Sequence, residues 1–172
     1  MGDGDVIQRL IDFCLDFWKK NNIQSVHLSI TGIDLNFSRV ENAKNLVKNS
    51  DDRITCNFHQ GDFVTEKLKY KEKYFDYSLV CGVFEILDDI QFSNALKEIS
   101  RVTNKGIYIE DVYEKFPGGH PRDTLGKSLL ENGFKTQKRH VILTEPFNKN
   151  ELQDPRKLWP NLLDQNIWAA KV

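Results

Sequence analysis

Two acidic residues stand where a nucleoside could be recognised. Asp34 and Asp62 each follow a strand-like segment. A carboxylate there can accept hydrogen bonds from both ribose hydroxyls, and a second can accept one from an adenine amino group while Phe63 packs on the ring. Simpler roles explain the same residues, because Asp34 could cap the next helix and Gly-Asp pairs are common in turns.

A third strand-like segment ends in Cys81-Gly82-Val83, followed two residues later by Glu85. Glycine lets a backbone come close to a ligand. Glu85 would then lie near the mouth of a pocket. A simple bend at Gly82 and a solvated charge at Glu85 are the alternatives.

Glycines also precede the first predicted helix, at Gly2 and Gly4. Glycines that open a helix bring the backbone close to a bound nucleotide, whose charge faces the helix N-terminus. A flexible tail would give the same short sequence, so these glycines alone decide nothing.

Four side chains are candidates for holding the substrate or accepting its proton: Glu85, Asp111, Tyr113 and His120. Asp111 and Tyr113 follow a predicted strand, whereas His120 lies in a loop rich in glycine and proline. A surface histidine in a turn is the more ordinary interpretation of His120. The remaining histidines are not spaced to bind a metal, so no metal site is predicted.

Hydrophobic periodicity predicts the framework that must position these residues. The predicted helices are 6–18, 38–47, 89–102 and 123–132, and the predicted strands are 25–33, 53–58, 75–83, 106–112, 134–143 and 165–172. Strand and helix alternate up to Val112, which is typical of an α/β fold with a doubly wound, mostly parallel sheet. The last two strands lack a helix of normal length between them, so we expect an antiparallel C-terminal strand pair. Ligands of such sheets bind at the carboxyl ends of the strands.

Composition narrows the class of protein. The chain has 172 residues, of which 40% are hydrophobic and 28% charged, with a net charge of −1. This fits one globular domain. The charge gives no bulk attraction to nucleic acid or to an acidic membrane. No apolar run reaches the roughly 20 residues that span a bilayer. Three widely separated cysteines without a CxxC spacing disfavour a disulfide framework, so we expect a cytoplasmic protein.

Taken in order, these features resemble the class I S-adenosylmethionine-dependent methyltransferases, which have a Rossmann-like fold. The matching segments are GIDLNFSRVENAKNLV, HQGDF, FDYSLVCGVFEILDD and ALKEISRVTNKGIYIEDV. The resemblance covers residues 2–143. It implies S-adenosylmethionine (SAM) as the cofactor and methyl transfer to a small-molecule substrate as the reaction.

The resemblance also implies roles for the residues at the predicted nucleoside end. Asp34 would bind the ribose hydroxyls, and Leu35 would lie against the adenine. Asp62 would accept a hydrogen bond from the adenine amino group, with Phe63 beside it.

At the other end of the cofactor, the resemblance implies that Cys81, Gly82 and Val83 line the floor under the methionine part. Gly2 and Gly4 would be the last two glycines of the first motif of the family.

The sequence departs from the family at two places. The strand that normally precedes the glycine motif is missing, and Ile86 stands where many members that act on small molecules have a histidine. We therefore expect residues 1–172 to be a single, N-terminally truncated methyltransferase-like domain, or a partner chain to supply the missing strand. The alternative function is a catalytically inactive partner or regulatory protein, and a dehydrogenase is disfavoured by the antiparallel strand pair.

Overall fold

The computed structural model describes residues 3–112, 122–143 and 163–171. They belong to two compact units, Met1–Asp62 and Phe63–Val172. The prediction of one truncated domain stays a prediction, and each unit is described by itself. Among the described residues, no helix is both long enough and apolar enough to cross a membrane.

The first unit contains two helices and two strands. They are α1 (Asp5–Lys20), β1 (Leu28–Asp34), α2 (Phe37–Leu46) and β2 (Ile54–Gln60). β1 and β2 pair in parallel, with Leu28 opposite Ile54 and Asp34 opposite Gln60. The carboxyl ends of the two strands therefore meet at one edge of this sheet.

Helix α1 forms because its apolar residues recur on one face. Ile7, Ile11 and Trp18 are buried on that face and belong to one cluster with Ile30 and Ile54 of the two strands. This confirms the predicted helix and its core face.

The helix starts differ from the predicted ones. The residue before α1 is Gly4, which has φ 103° and gives no side-chain cap, so the helix begins at Asp5, one residue before the predicted start. Helix α2 is capped by Asn36, whose side chain accepts a hydrogen bond from the Ser38 N–H. Helix α2 thus begins at Phe37, one residue before the predicted start.

An arginine ties the amino end of β2 to the end of α1. The Arg53 guanidinium donates to both carboxylate oxygens of Asp51, at 2.8 and 2.6 Å, and to the Ile23 carbonyl at 2.9 Å. It also lies 4.8 Å from the centre of the Trp18 ring. The hydrogen bonds from Arg53 lower the pKa of Asp51 to about 2. This contact holds the end of the sheet opposite to Asp34.

The second unit contains four strands and two α-helices. They are β3 (Phe75–Cys81), a short 3-10 helix (Phe84–Ile86), α3 (Asp89–Val102), β4 (Thr103–Val112), α4 (Arg122–Glu131), β5 (Phe134–Leu143) and β6 (Leu163–Lys171). The strand order is β3-β4-β6-β5. β3 and β4 are parallel, whereas β6 is antiparallel to both β4 and β5. The predicted α/β fold with an antiparallel C-terminal strand pair is confirmed.

The core of the second unit lies on one face of this sheet. Ile107 and Ile109 of β4 are fully buried, and they belong to one cluster with Leu96 of α3 and Leu125 of α4. Burial alternates along β4, so the residues between the two isoleucines and beyond them belong to the other face.

A second arginine clamp holds the connection between β2 and β3. Arg101 donates to both carboxylate oxygens of Glu98, at 2.8 and 2.6 Å, and to the carbonyls of Tyr70 and Leu68. The Leu68 N–H in turn donates to Glu98 at 2.7 Å. The segment ALKEISRV, which contributed to the family resemblance, therefore stabilises the connection between β2 and β3.

Gly106 has no positive φ, so its need for glycine has another cause. It is inside β4, where a Cβ atom would lie 2.8 Å from the Trp168 ring and 3.0 Å from the Ala169 carbonyl oxygen. Glycine is required because β6 approaches closely. Gly133, by contrast, has φ 81° two residues after the end of α4, which confirms the predicted helix stop.

Among the described residues, four strands are paired on one edge only: β1, β2, β3 and β5. β1 pairs with β2 alone, and β3 pairs with β4 alone. A strand supplied by a partner chain therefore stays a prediction.

We predict that Gly106→Ala destabilises the protein by about 1–3 kcal/mol, because the new methyl group overlaps the Trp168 ring and the backbone of β6. Urea denaturation measures the change. Gly126→Ala is the control, since a Cβ atom in that part of α4 has nothing within 4 Å. Alanine in a helix should stabilise by about 0.5–1 kcal/mol. Equal effects of the two substitutions would contradict the proposed overlap.

Candidate functional site

Asp34 ends β1, and its carboxylate takes part in the turn into α2. Its Oδ1 accepts a hydrogen bond from the Asn36 N–H at 2.9 Å. The backbone is fixed as well, because the Gly61 N–H donates to the Asp34 carbonyl at 3.2 Å. A carboxylate has about four acceptor positions. The turn interpretation and the ribose interpretation of Asp34 are therefore compatible.

Apolar side chains lie beside this carboxylate in the sequence and are open to solvent. Leu35 is 63% exposed and Phe37 is 58% exposed. The Gln60 side chain holds the backbone here by donating to the Leu35 carbonyl at 2.9 Å. Sequence analysis missed Phe37 and Gln60. A large apolar residue at the exposed start of a helix is a signal that could have found Phe37.

Asp62 follows the end of β2 by two residues and is partly buried. Because β1 and β2 are parallel and in register, the segments that carry Asp34, Leu35 and Asp62 leave the same edge of the two-stranded sheet. This edge offers carboxylates and an exposed apolar side chain, which are the groups that a nucleoside needs. The structure thus brings three predicted residues to one end of the first unit.

Gly4 is buried between the first two helices. A Cβ atom there would lie 3.0 Å from Ala43 Cα and 3.1 Å from Val47 Cγ2. Close packing of α1 against the end of α2 therefore requires glycine at this position. Cofactor binding by Gly4 stays a prediction, and Gly2 lies outside the described residues.

In the second unit, Cys81, Gly82 and Val83 lead out of β3. Gly82 has φ 60°, and its N–H donates to the Glu110 carbonyl at 3.1 Å. Val83 precedes the 3-10 helix and packs, like Phe63, against the core cluster of this unit. The positive φ at Gly82 turns the chain sharply at the end of the strand, as expected for a position that favours glycine.

The Cys81 thiol is held in its neutral form. Burial, the charge of Glu110 and a hydrogen bond to Glu110 raise the pKa of Cys81 to about 12. The group is therefore unsuited to act as a nucleophile and can serve as a neutral surface. Glu110, opposite Cys81 in β4, was missed because Asp111 was chosen instead. Side chains of a strand alternate between its two faces, so Glu110 lies on the face opposite to buried Ile107 and Ile109. This alternation would have identified Glu110.

Of the four predicted substrate residues, the structure describes the side chain of Glu85 alone. Glu85 is in the 3-10 helix, where its Oε1 would lie 3.8 Å from a Cβ atom on Gly82. The backbone of Asp111 is in β4, whereas its side chain, Tyr113 and His120 lie outside what the structure describes. Within the described residues, no cluster of His, Cys, Asp and Glu could hold a metal ion.

Comparison with protein families decides the class. A family model described as a methyltransferase domain matches residues 18–106, just over half of the chain. The chain belongs to this methyltransferase domain family. The resemblance to class I SAM-dependent methyltransferases is thereby confirmed. The match includes the segments that carry Asp34, Asp62 and Cys81.

Solved structures support the same fold. A SAM-dependent methyltransferase from Methanosarcina mazei is 17% identical, with a TM-score of 0.67, and the match covers 99% of this chain and 89% of that one. Magnesium protoporphyrin IX methyltransferase from Synechocystis, solved with S-adenosylhomocysteine (SAH), is 13% identical, with a TM-score of 0.62 and coverage of 99% and 86%.

The [4+2]-cyclase SpnF is 15% identical, with a TM-score of 0.61 and coverage of 90% and 69%. Its presence among the similar structures shows that the fold by itself does not fix the reaction. Among curated proteins, the chain has no match.

We predict that Cys81 reacts slowly with iodoacetamide at pH 8.5, because the thiolate is the reactive form and the pKa of Cys81 is about 12. Glu110→Gln removes the charge that opposes ionisation and should lower this pKa, so that alkylation becomes faster. Peptide mass spectrometry measures each site separately. Cys14 is the internal control, since burial is the cause of its raised pKa and the substitution should leave its rate unchanged.

Proposed function

We propose that this protein is a SAM-dependent methyltransferase that transfers a methyl group to a small-molecule acceptor. The observation that carries the proposal is the edge of β1 and β2, where Asp34, Leu35 and Asp62 follow paired strand ends in a chain of the methyltransferase domain family. S-adenosylmethionine is the cofactor that family membership implies. The Synechocystis methyltransferase, solved with bound SAM and with bound SAH, supports this assignment.

The first unit would bind the nucleoside part of the cofactor. The Asp34 carboxylate would accept hydrogen bonds from the ribose hydroxyls while still accepting the Asn36 N–H. Leu35, whose carbonyl is held by Gln60, would contact the adenine ring. Asp62 would accept a hydrogen bond from the adenine amino group. In such sites, apolar side chains usually bury the aromatic ring of the ligand. A few directed polar contacts fix its orientation.

The second unit would contact the methionine part and the reacting end. SAM supplies an electrophilic methyl group on a positively charged sulfur. Cys81 offers a neutral surface, and the glycine at position 82 leaves the backbone accessible. Glu85 and Glu110 add negative charge near this strand end, which favours a cation. Phe63 packs on the core of this unit, and a position beside the adenine is proposed for it from the family resemblance alone.

The acceptor is proposed to be a small molecule on two grounds. The net charge of −1 gives no excess of positive charge for a nucleic-acid acceptor. Methyl transfer also needs chiefly proximity and alignment, which a pocket at the strand ends can supply. Glu85 is proposed to accept a proton from the acceptor, with Asp111, Tyr113 and His120 as the other proposed substrate contacts.

We predict that the chain binds SAM and SAH and that Asp34→Asn weakens binding on the order of tenfold, because charge-assisted hydrogen bonds to the ribose are lost. Asparagine keeps an oxygen for the Asn36 N–H, so the turn into α2 should persist. Calorimetric titration measures the dissociation constants. Asp52→Asn, at the opposite end of β2, removes the same charge and should bind as the unchanged protein does.

A folded chain that binds neither SAM nor SAH at millimolar concentration would overturn the proposed function. Unchanged affinity in Asp34→Asn would refute only the assignment of the ribose to Asp34.

We also predict that methyl label from SAM appears in small molecules. The chain is incubated with labelled SAM and a cell extract separated into fractions below and above about 3 kDa, and the label in each is counted. Methylation confined to the heavier fraction would contradict a small-molecule acceptor. Binding of SAM with no transfer to either fraction would favour the alternative function, an inactive methyltransferase-like partner or regulatory protein. This alternative is a second candidate because proteins with this fold do not all share one reaction.

A further inference from the structure

Helix α1 has a second apolar stripe besides the one in the core. Val6, Leu10, Phe13 and Phe17 form this outer stripe; Phe13 and Phe17 are 67% and 47% exposed, whereas Leu10 is half-buried against the core cluster. The rings of Phe13 and Phe17 stack with their centres 6.1 Å apart. Exposed aromatic surface of this kind is costly in water and typical of an interaction site.

The spacing of the outer stripe indicates what covers it. Its residues are four, three and four positions apart, which is the alternation of the two core positions in a coiled-coil heptad. Such spacing keeps one line of side chains facing a neighbouring helix over several turns. The surface is therefore shaped for another α-helix.

Charges beside the stripe select the partner and its direction. Arg9 and Asp16 are both exposed, lie seven residues apart, and so occupy the same heptad position on one flank. In an antiparallel pair of identical helices, this flank faces itself, and Arg9 of each copy lies near Asp16 of the other. A parallel pair would instead place Arg9 beside Cys14, with no opposite charge. The flank is thus self-complementary in the antiparallel arrangement alone.

We propose that the outer stripe of α1 docks against the same stripe of a second copy of this chain, antiparallel and related by two-fold symmetry. Each half of the interface then repeats the other, as in most homodimers. Asp16 now bonds to Lys20 at 2.7 Å, with both side chains largely exposed. Such a pair contributes little, so Asp16 can turn to the partner at small cost. One helix face from each copy makes a small interface, and the dimer should be weak and concentration-dependent.

Sedimentation velocity of the whole chain tests the proposal, over a range from about 1 µM to about 1 mM. The mass should rise from one chain to two. The variant with both Phe13→Ser and Phe17→Ser should remain one chain throughout, with an unchanged circular dichroism spectrum because both rings are exposed. A protein that stays monomeric at every concentration, or a dimer that survives these two substitutions, would overturn the proposal.

Charge reversal tests the direction of the helices. Arg9→Asp and Asp16→Arg should each weaken the homodimer on the order of tenfold, since two attractive pairs become repulsive. Mixing the two variants should restore association, because every flanking pair is then of opposite charge. Asp12→Arg is the control. It changes the net charge as Asp16→Arg does, but Asp12 lies off the stripe, where it accepts a hydrogen bond from Gln8. Failure of the mixture to associate would exclude the antiparallel arrangement.

Discussion

The parallel pairing of neighbouring strands is the constraint on which the candidate site depends. In the first unit, the register from Leu28 opposite Ile54 to Asp34 opposite Gln60 makes both strands end together. In the second unit, Cys81 is opposite Glu110 for the same reason. A shift of one residue would move every side chain of a strand to the other face. The hydrophobic pattern in the strands sets their register, and the register therefore determines which side chains meet at the strand ends.

Much of this framework could be predicted from the sequence. The helix at Asp89–Val102 and the strand at Phe134–Leu143 have the predicted bounds, because apolar spacing and strand propensity are local properties. The antiparallel C-terminal pair followed from the length of the connection. Asp34, Asp62 and Cys81 were chosen as candidates because they stand at or just after the ends of such segments.

The remaining features depend on contacts between residues that are distant in sequence. Glu110 matters because of its register with Cys81, and Arg101 because it reaches the carbonyl of Tyr70, 31 residues away. Gly4 and Gly106 both allow another element to come close, which their local sequence does not reveal. A glycine that makes room for a distant side chain looks, in a single sequence, like one that makes a turn.

The clamp between Glu98 and Arg101 also bears on proteolysis. The connection between β2 and β3 carries lysines at 67, 69, 71 and 73, each a cleavage site for trypsin-like proteases. Such proteases must draw several residues into an extended form before they cut. The clamp holds the backbone of Leu68 and Tyr70, and the Lys73 N–H donates to the Arg101 carbonyl. Alternate lysines are thus kept between anchored residues, and one partly buried ion pair protects a lysine-rich stretch that has neither helix nor strand to shield it.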